Sequence, residues 1–185
     1  MCYNVKNGYT IYLLFLMGGT MKKDTCCFFG HRRITESENL RSMLKEIIEN
    51  LIVYEKIDTF LFGSKSRFDG LCLEVVTEIK EKYPHIRRVY VRAEYPDIGE
   101  DYRRYLLESY EDTYYPESIR NSGRAVYVER NYEMIDNSRI CVVYYKGQSM
   151  AASRKSGTKI ALDYAIKQGK TILNVAGWRG VRFSR

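Results

Sequence analysis

A chain of 185 residues, 45% hydrophobic and 29% charged, has the size and composition of a single globular domain with a core of its own. Its formal charge of +7 is less informative than it looks, because Lys6, Arg179, Arg182 and Arg185 supply four of those charges from two end segments without acids, leaving residues 21–175 at only +3 and nucleic acid disfavoured as a partner. The five cysteines, Cys2, Cys26, Cys27, Cys72 and Cys141, show no metal-type spacing and read as small buried hydrophobes in a reducing cytoplasm, not as disulfides or zinc ligands.

Residues 1–20 hold an apolar run, Ile11 to Met17, that is far short of the ~20 residues needed to span a bilayer, and no small-x-small cleavage site follows it. We expect a non-native or disordered extension, with translation starting at Met21. Thr25-Cys-Cys-Phe-Phe29 is uncharged and reads as a strand buried on both faces. It runs into Gly30-His31-Arg32-Arg33. Thr35-x-x-Glu38 has the capping-box pattern, and Leu40, Met43, Leu44, Ile47, Ile48 and Leu51 give the apolar stripe of a long helix.

Ile57 to Phe62 reads as a second strand, ending in the turn Gly63-Ser64-Lys65-Ser66-Arg67-Phe68-Asp69-Gly70. Asp69 is placed as the N-cap of a helix carrying Cys72, Val75, Val76 and Ile79 and stopped by Pro84. Arg87 to Arg92 is a third strand, near an edge. Residues 95–123 break the rhythm with six tyrosines and one short helix around Asp101–Ser109. Arg124 to Val128 reads as a short strand or extended piece and Asn131 to Asn137 as a helix of one or two turns. Arg139 to Tyr145 is the most strand-like run, placed centrally. After a polar loop, Lys146–Arg154, the turn Ser156-Gly157-Thr158 opens the last helix, Gly169 ends it, and Thr171 to Val175 is the final strand. The order predicts an α/β fold: one Rossmann-like domain over 21–175, a mostly parallel sheet of five or more strands with helices on both faces, and a mobile basic tail at 176–185.

In such a sheet the three polar turns share the edge where ligands bind. Glycines and free backbone N–H groups at helix starts suit an anion. Arg32 and Arg67 add donors that fork a phosphate, and Ser156 and Thr158 add hydroxyls. The candidate ligand-binding residues are therefore Gly30, His31, Arg32, Gly63, Ser64, Arg67, Asp69, Ser156, Gly157 and Thr158. Arg130 and Asn131, from the polar turn Glu129-Arg130-Asn131, join them. His31 has an alternative role as a structural hydrogen-bonder and Asp69 as a helix cap. Tyrosines of the 95–132 cluster are candidates to stack on a base. No G-x-G-x-x-G follows the first strand and no G-x-x-x-x-G-K-[ST] occurs, so ordinary dinucleotide and P-loop fingerprints are absent. No metal site is expected.

Cys26-Cys-Phe-Phe-Gly-His-Arg32, the Gly63 to Asp69 turn, Tyr127-Val-Glu-Arg-Asn131 and Lys155-Ser-Gly-Thr158 together resemble the YpsA-like branch of the SLOG superfamily, which also includes the LOG phosphoribohydrolases and the DprA single-strand DNA-binding protein. The resemblance covers roughly residues 24–175. It implies a Rossmann-like fold and a site for a nucleotide or an ADP-ribose-like ligand, with no other cofactor. LOG enzymes carry Pro-Gly-Gly-x-Gly-Thr with a glutamate close behind; here Gly157-Thr158 is followed by Lys159-Ile160. The leading expectation is thus a cytoplasmic nucleotide-binding or sensing domain. Hydrolysis of an N-glycosidic bond is the alternative, and would need Asp69 or Glu129 in the glutamate's place. Single-stranded DNA binding is the second alternative, ranked last on charge. A small nucleotide-like ligand and a second copy of the chain are the expected partners, with no membrane.

Overall fold

The computed structural model describes residues 24–63, 65–121, 123–147 and 156–176. The extension at 1–20, Cys2, Ser64, residues 148–154 of the polar loop and the tail past Ala176 lie outside the described residues. Eleven elements alternate along the chain: β1 (Thr25–Gly30), α1 (Glu38–Val53), β2 (Thr59–Phe62), α2 (Arg67–Lys82), β3 (Arg87–Val91), α3 (Glu100–Leu107), β4 (Asp112–Tyr114), α4 (Ala125–Asp136), β5 (Ile140–Tyr144), α5 (Gly157–Lys167) and β6 (Thr171–Asn174). They build one six-stranded sheet in the order β4-β3-β2-β1-β5-β6, with every pair parallel. This is the expected single Rossmann-like α/β domain.

The two faces of β1 explain its uncharged sequence. Cys26 and Phe28 join the layer under α1 and α2, whereas Cys27 and Phe29 join the layer under α4 and α5. A strand covered on both sides has no solvent face on which to place a charge. Cys26, Cys27, Cys72 and Cys141 are free and buried. Cys27 and Cys141 face each other across β1 and β5 with their sulfurs 3.6 Å apart, a thiol hydrogen bond. Gly169, with φ of +65°, ends α5 in the left-handed region that glycine adopts without strain.

Four details differ from the sequence reading. The segment expected as a strand at Arg124–Val128 and the short helix expected after it are one continuous helix, α4. Its inward stripe is Val126, Arg130 and Met134, and a buried arginine in the middle of the stripe hides the helical period. A short edge strand, β4, lies in the tyrosine-rich region; its three residues are too few to show alternation, and Thr113 Oγ1 ties it to the Tyr90 carbonyl at 2.9 Å. The caps are Ser37 for α1 and Ser66 for α2, each accepting from a backbone N–H three residues on, at 3.2 and 3.1 Å. Asp69 therefore sits inside the first turn of α2 and is not its cap. Finally, β5 is interior but one strand from the edge, between β1 and β6.

Gly30 ends β1 where the first turn of α2 presses on it. A Cβ at Gly30 would lie 2.7 Å from Cγ of Phe68, a side chain with 0% exposure. The backbone here needs no special φ; the constraint is close approach. Gly30→Ala is expected to destabilise the domain by about 1–3 kcal/mol, the cost of overpacking a filled core. Urea denaturation measures it, and Phe68→Leu in the same chain is expected to return part of the loss.

Candidate functional site

A cavity of about 850 Å3 opens at the carboxyl edge of the sheet. The strand order makes this the expected place. The chain steps outward from β1 through β2, β3 and β4, then returns to β5 on the other side of β1, and the crevice at such a reversal is where open α/β sheets bind ligands. The turn after β1 supplies Gly30, His31, Arg32 and Arg33. The turn after β2 supplies Gly63, Lys65 and Ser66. Residues beyond β3 supply Arg92, Glu94 and Tyr95, α4 supplies Tyr127, Arg130 and Asn131, and the start of α5 supplies Ser156, Gly157 and Thr158.

Charge is concentrated here. Among the described lining residues stand six cations, Arg32, Arg33, Lys65, Arg92, Arg124 and Arg130, against one carboxylate, Glu94. That excess of five exceeds the +3 of the whole body. A concave wall of one sign focuses the field and favours an anion. Three tyrosines in the same wall, Tyr95, Tyr102 and Tyr127, are 61%, 40% and 41% exposed, so their rings are available to a flat partner.

Arg130 is the buried member of the set, with 3% exposure. Its Nη1 donates to the carbonyl of Gly63 and, at 3.3 Å, to that of Val91, and its Nε donates to Asn131 Oδ1 at 3.0 Å. Those carbonyls lie at the ends of β2 and β3. Burial pulls the guanidinium pKa down; the nearby Asp69 carboxylate, itself buried, is the foremost charge holding it up. Gly63 makes room for this arrangement, since a Cβ there would come within 2.8 Å of Cδ and Cζ of Arg130.

His31 joins the ends of β1 and β5. Its backbone N–H donates to the Tyr144 carbonyl at 3.1 Å, and its Nε2 accepts from the backbone N–H of Lys146 at 3.1 Å. An Nε2 that accepts carries no proton, so the ring is neutral with its proton on Nδ1. Burial first, and the Lys146 charge second, hold its pKa below the ordinary 6.5. Across the crevice, Ser156 caps α5 by accepting from the Lys159 N–H at 3.2 Å. Among the described residues nothing comes within 4 Å of a Cβ at Gly157. The first turn of α5 presents bare backbone, with the positive end of the helix dipole behind it.

Of the candidates from sequence, Gly30, His31, Arg32, Gly63, Arg130, Asn131, Ser156, Gly157 and Thr158 line this one cavity. Ser64 lies outside the described residues. Arg67 is turned to the outer surface, paired with Glu36 and, at 2.7 Å, with Glu74. Asp69 is buried behind the wall. Glu129 accepts from the backbone N–H groups of Arg120 and Asn121, both at 3.1 Å, and those bonds, Asn121 foremost, hold its pKa below the usual carboxylate range. Neither carboxylate named as a catalytic candidate therefore lines the cavity. The sequence reading passed over Arg92, Glu94 and Arg124, and did not single out Tyr95, Tyr102 and Tyr127 from the other tyrosines. A signal existed for two of them: Arg92 ends the third strand as read from sequence, and Glu94 follows two residues on. Among the described residues no group of three or more His, Cys, Asp or Glu could hold a metal ion, and no helix is long and apolar enough to cross a membrane.

No family model and no curated protein matches the chain. Among solved structures, DNA processing protein A from Helicobacter pylori, whose structure concerns its single-stranded DNA binding mode, is similar with a TM-score of 0.51 and 13% sequence identity. The likeness covers 81% of this chain and 64% of that one, so the chain spans less than two thirds of that protein's length. At this identity the likeness shows the fold. It also corrects one expectation: a protein of this fold binds single-stranded DNA, so a low body charge is no ground for setting nucleic acid aside as a partner.

Two outcomes follow from the geometry. Replacing Arg130 by Met takes its donor from two strand-end carbonyls and a positive charge from the neighbourhood of the buried Asp69; a loss of about 3–5 kcal/mol is expected by chemical denaturation. For His31 the folded state binds its proton less readily than the unfolded chain does. Its contribution to stability is therefore complete above pH ~6.5 and is lost as pH falls below that value. Denaturation midpoints at pH 7.5 and 5.5 should fall further apart in the wild type than in His31→Gln.

Proposed function

We propose that this chain is a binding or sensing domain for a nucleotide or a nucleotide-derived anion of ADP-ribose type. The observation that carries the reading is the excess of five positive charges in a cavity that also holds three exposed tyrosines. Phosphate would sit against the start of α5, Ser156-Gly157-Thr158, with Arg32 as counter-charge and the Gly30 and Gly63 turns beside it. A base would lie on Tyr95, Tyr102 or Tyr127. Arg130 and Asn131 would hold the wall, and His31 the crevice. A cavity of this volume is within the range of ligand sites.

Binding without hydrolysis is favoured over the N-glycosidic hydrolase alternative because Asp69 and Glu129 are engaged elsewhere. Gly30-His31-Arg32 combined with Ser156-Gly157-Thr158 supports the YpsA-like branch as the chain's place in the SLOG superfamily, with residues 21–175 as the binding domain. Four free buried thiols, two of them in contact, support a reducing cytoplasm as its setting.

A second reading is single-stranded DNA binding. It is supported by the fold shared with DNA processing protein A and by aromatic rings set among arginines, the combination on which unstacked bases bind.

Thermal unfolding with ADP-ribose, NAD, nucleoside monophosphates and cyclic dinucleotides tests the first reading. A hundredfold excess over Kd should add about 2.7 kcal/mol and raise Tm by several degrees. No shift with any of them contradicts it. Fluorescence anisotropy of an oligo-dT probe tests the second. Affinity that falls steeply with salt supports DNA binding, and an absence of binding at low salt rejects it.

A further inference from the structure

Glu94 is the one carboxylate among six cations in the described cavity wall. It stands three residues beyond the end of β3. Its Oε1 accepts a hydrogen bond from the Tyr127 hydroxyl of α4, and this partner raises the tyrosine's pKa. Among the described residues it forms no ion pair, although Arg130 and Tyr90 both feel its charge. Glu94 thus draws none of the wall cations into an ion pair, and its own charge stays exposed to a ligand.

A carboxylate in an anion site repels phosphate. It is matched only by hydrogen-bond donors on the ligand, and a nucleotide offers such donors on its ribose. The spacing suits this. β3 lies two strands from β1, about 10 Å across the sheet at the usual strand separation. A nucleoside diphosphate bridges that distance, with phosphate at the β1–α5 crevice, ribose over the end of β3 and base on the adjacent Tyr95 or Tyr127. We infer that Glu94 accepts from the ribose hydroxyls and makes the site selective for ribonucleotides over 2′-deoxyribonucleotides. The inference rests on the nucleotide reading above and adds to it a specificity-determining residue. A carboxylate acceptor distinguishes the two sugars because the deoxy sugar lacks one donor, and Glu94 is exposed, so its replacement leaves the core intact.

Isothermal titration with two matched pairs tests it: ADP against 2′-deoxy-ADP, and ADP-ribose against its 2′-deoxy analogue, each with wild type and Glu94→Gln. The wild type is expected to favour the ribo form of a pair by about tenfold, the factor one charge-assisted hydrogen bond yields. In Glu94→Gln the ratio is expected to fall below about threefold, while the deoxy form binds more tightly than to wild type because a repelling charge is gone. Binding of a pair without preference, or a preference that Glu94→Gln keeps, overturns the inference and leaves the nucleotide reading standing. No binding by any of the four overturns the inference and removes ADP and ADP-ribose as ligands of the site.

Discussion

A guanidinium buried between two strand ends shapes this molecule. Arg130 reaches from α4 to the carbonyls of Gly63 and Val91, and so ties the ends of β2 and β3 to a helix that comes later in the chain. A buried cation is tolerable only with its donors used and a counter-charge near. Groups that look unrelated in sequence serve this cation: the Gly63 and Val91 carbonyls at two strand ends, the Asn131 amide, and Asp69 in the first turn of α2. The glycine at 63 follows from this, since any side chain there meets Arg130. The wall of the cavity is therefore held by the same interaction that seats α4.

The second consequence is electrostatic. A body charge of +3 conceals a cavity whose described lining holds five more cations than anions. The acids that balance the total are spent elsewhere. Glu36, Glu74 and Glu78 pair with Arg67 and Arg41 on the outer faces of α1 and α2, and Glu111 pairs with Arg88 beside the edge strand. Lining cations come from the turns after β1 and β2, from beyond β3, and from α4 and the residue before it. Net charge averages over all of this, and only the topology sorts it. A fold whose strands all point one way brings every strand end to the same edge, which is how arginines about a hundred residues apart come to share one wall.

What could be read from the sequence follows from the same physics. β1 and β5 were legible because burial on both faces leaves an uncharged run, and α1 and α2 because their stripes are purely apolar. The turns at Gly30 and Ser156 were legible because strand, break and helix start follow one another within a few residues. α4 was not, because its stripe runs through Arg130 and pattern reading assigns a charge to the surface. β4 was too short to register. Glycines 30 and 63 were read as phosphate turns, whereas what constrains them is close approach of Phe68 and Arg130. Glu94 was invisible as part of a site because its meaning depends on Tyr127, thirty-three residues on.

The central claim is that separate strand ends form one anion-binding pocket. Backbone amide shifts of the isotope-labelled protein, followed during titration with ADP, test it most directly. The account predicts that amides of Arg32, of Glu94 and Tyr95, and of Gly157 and Thr158 move together along one saturation curve. Shifts confined to one of these segments, or scattered over the basic surface without saturating, would contradict it.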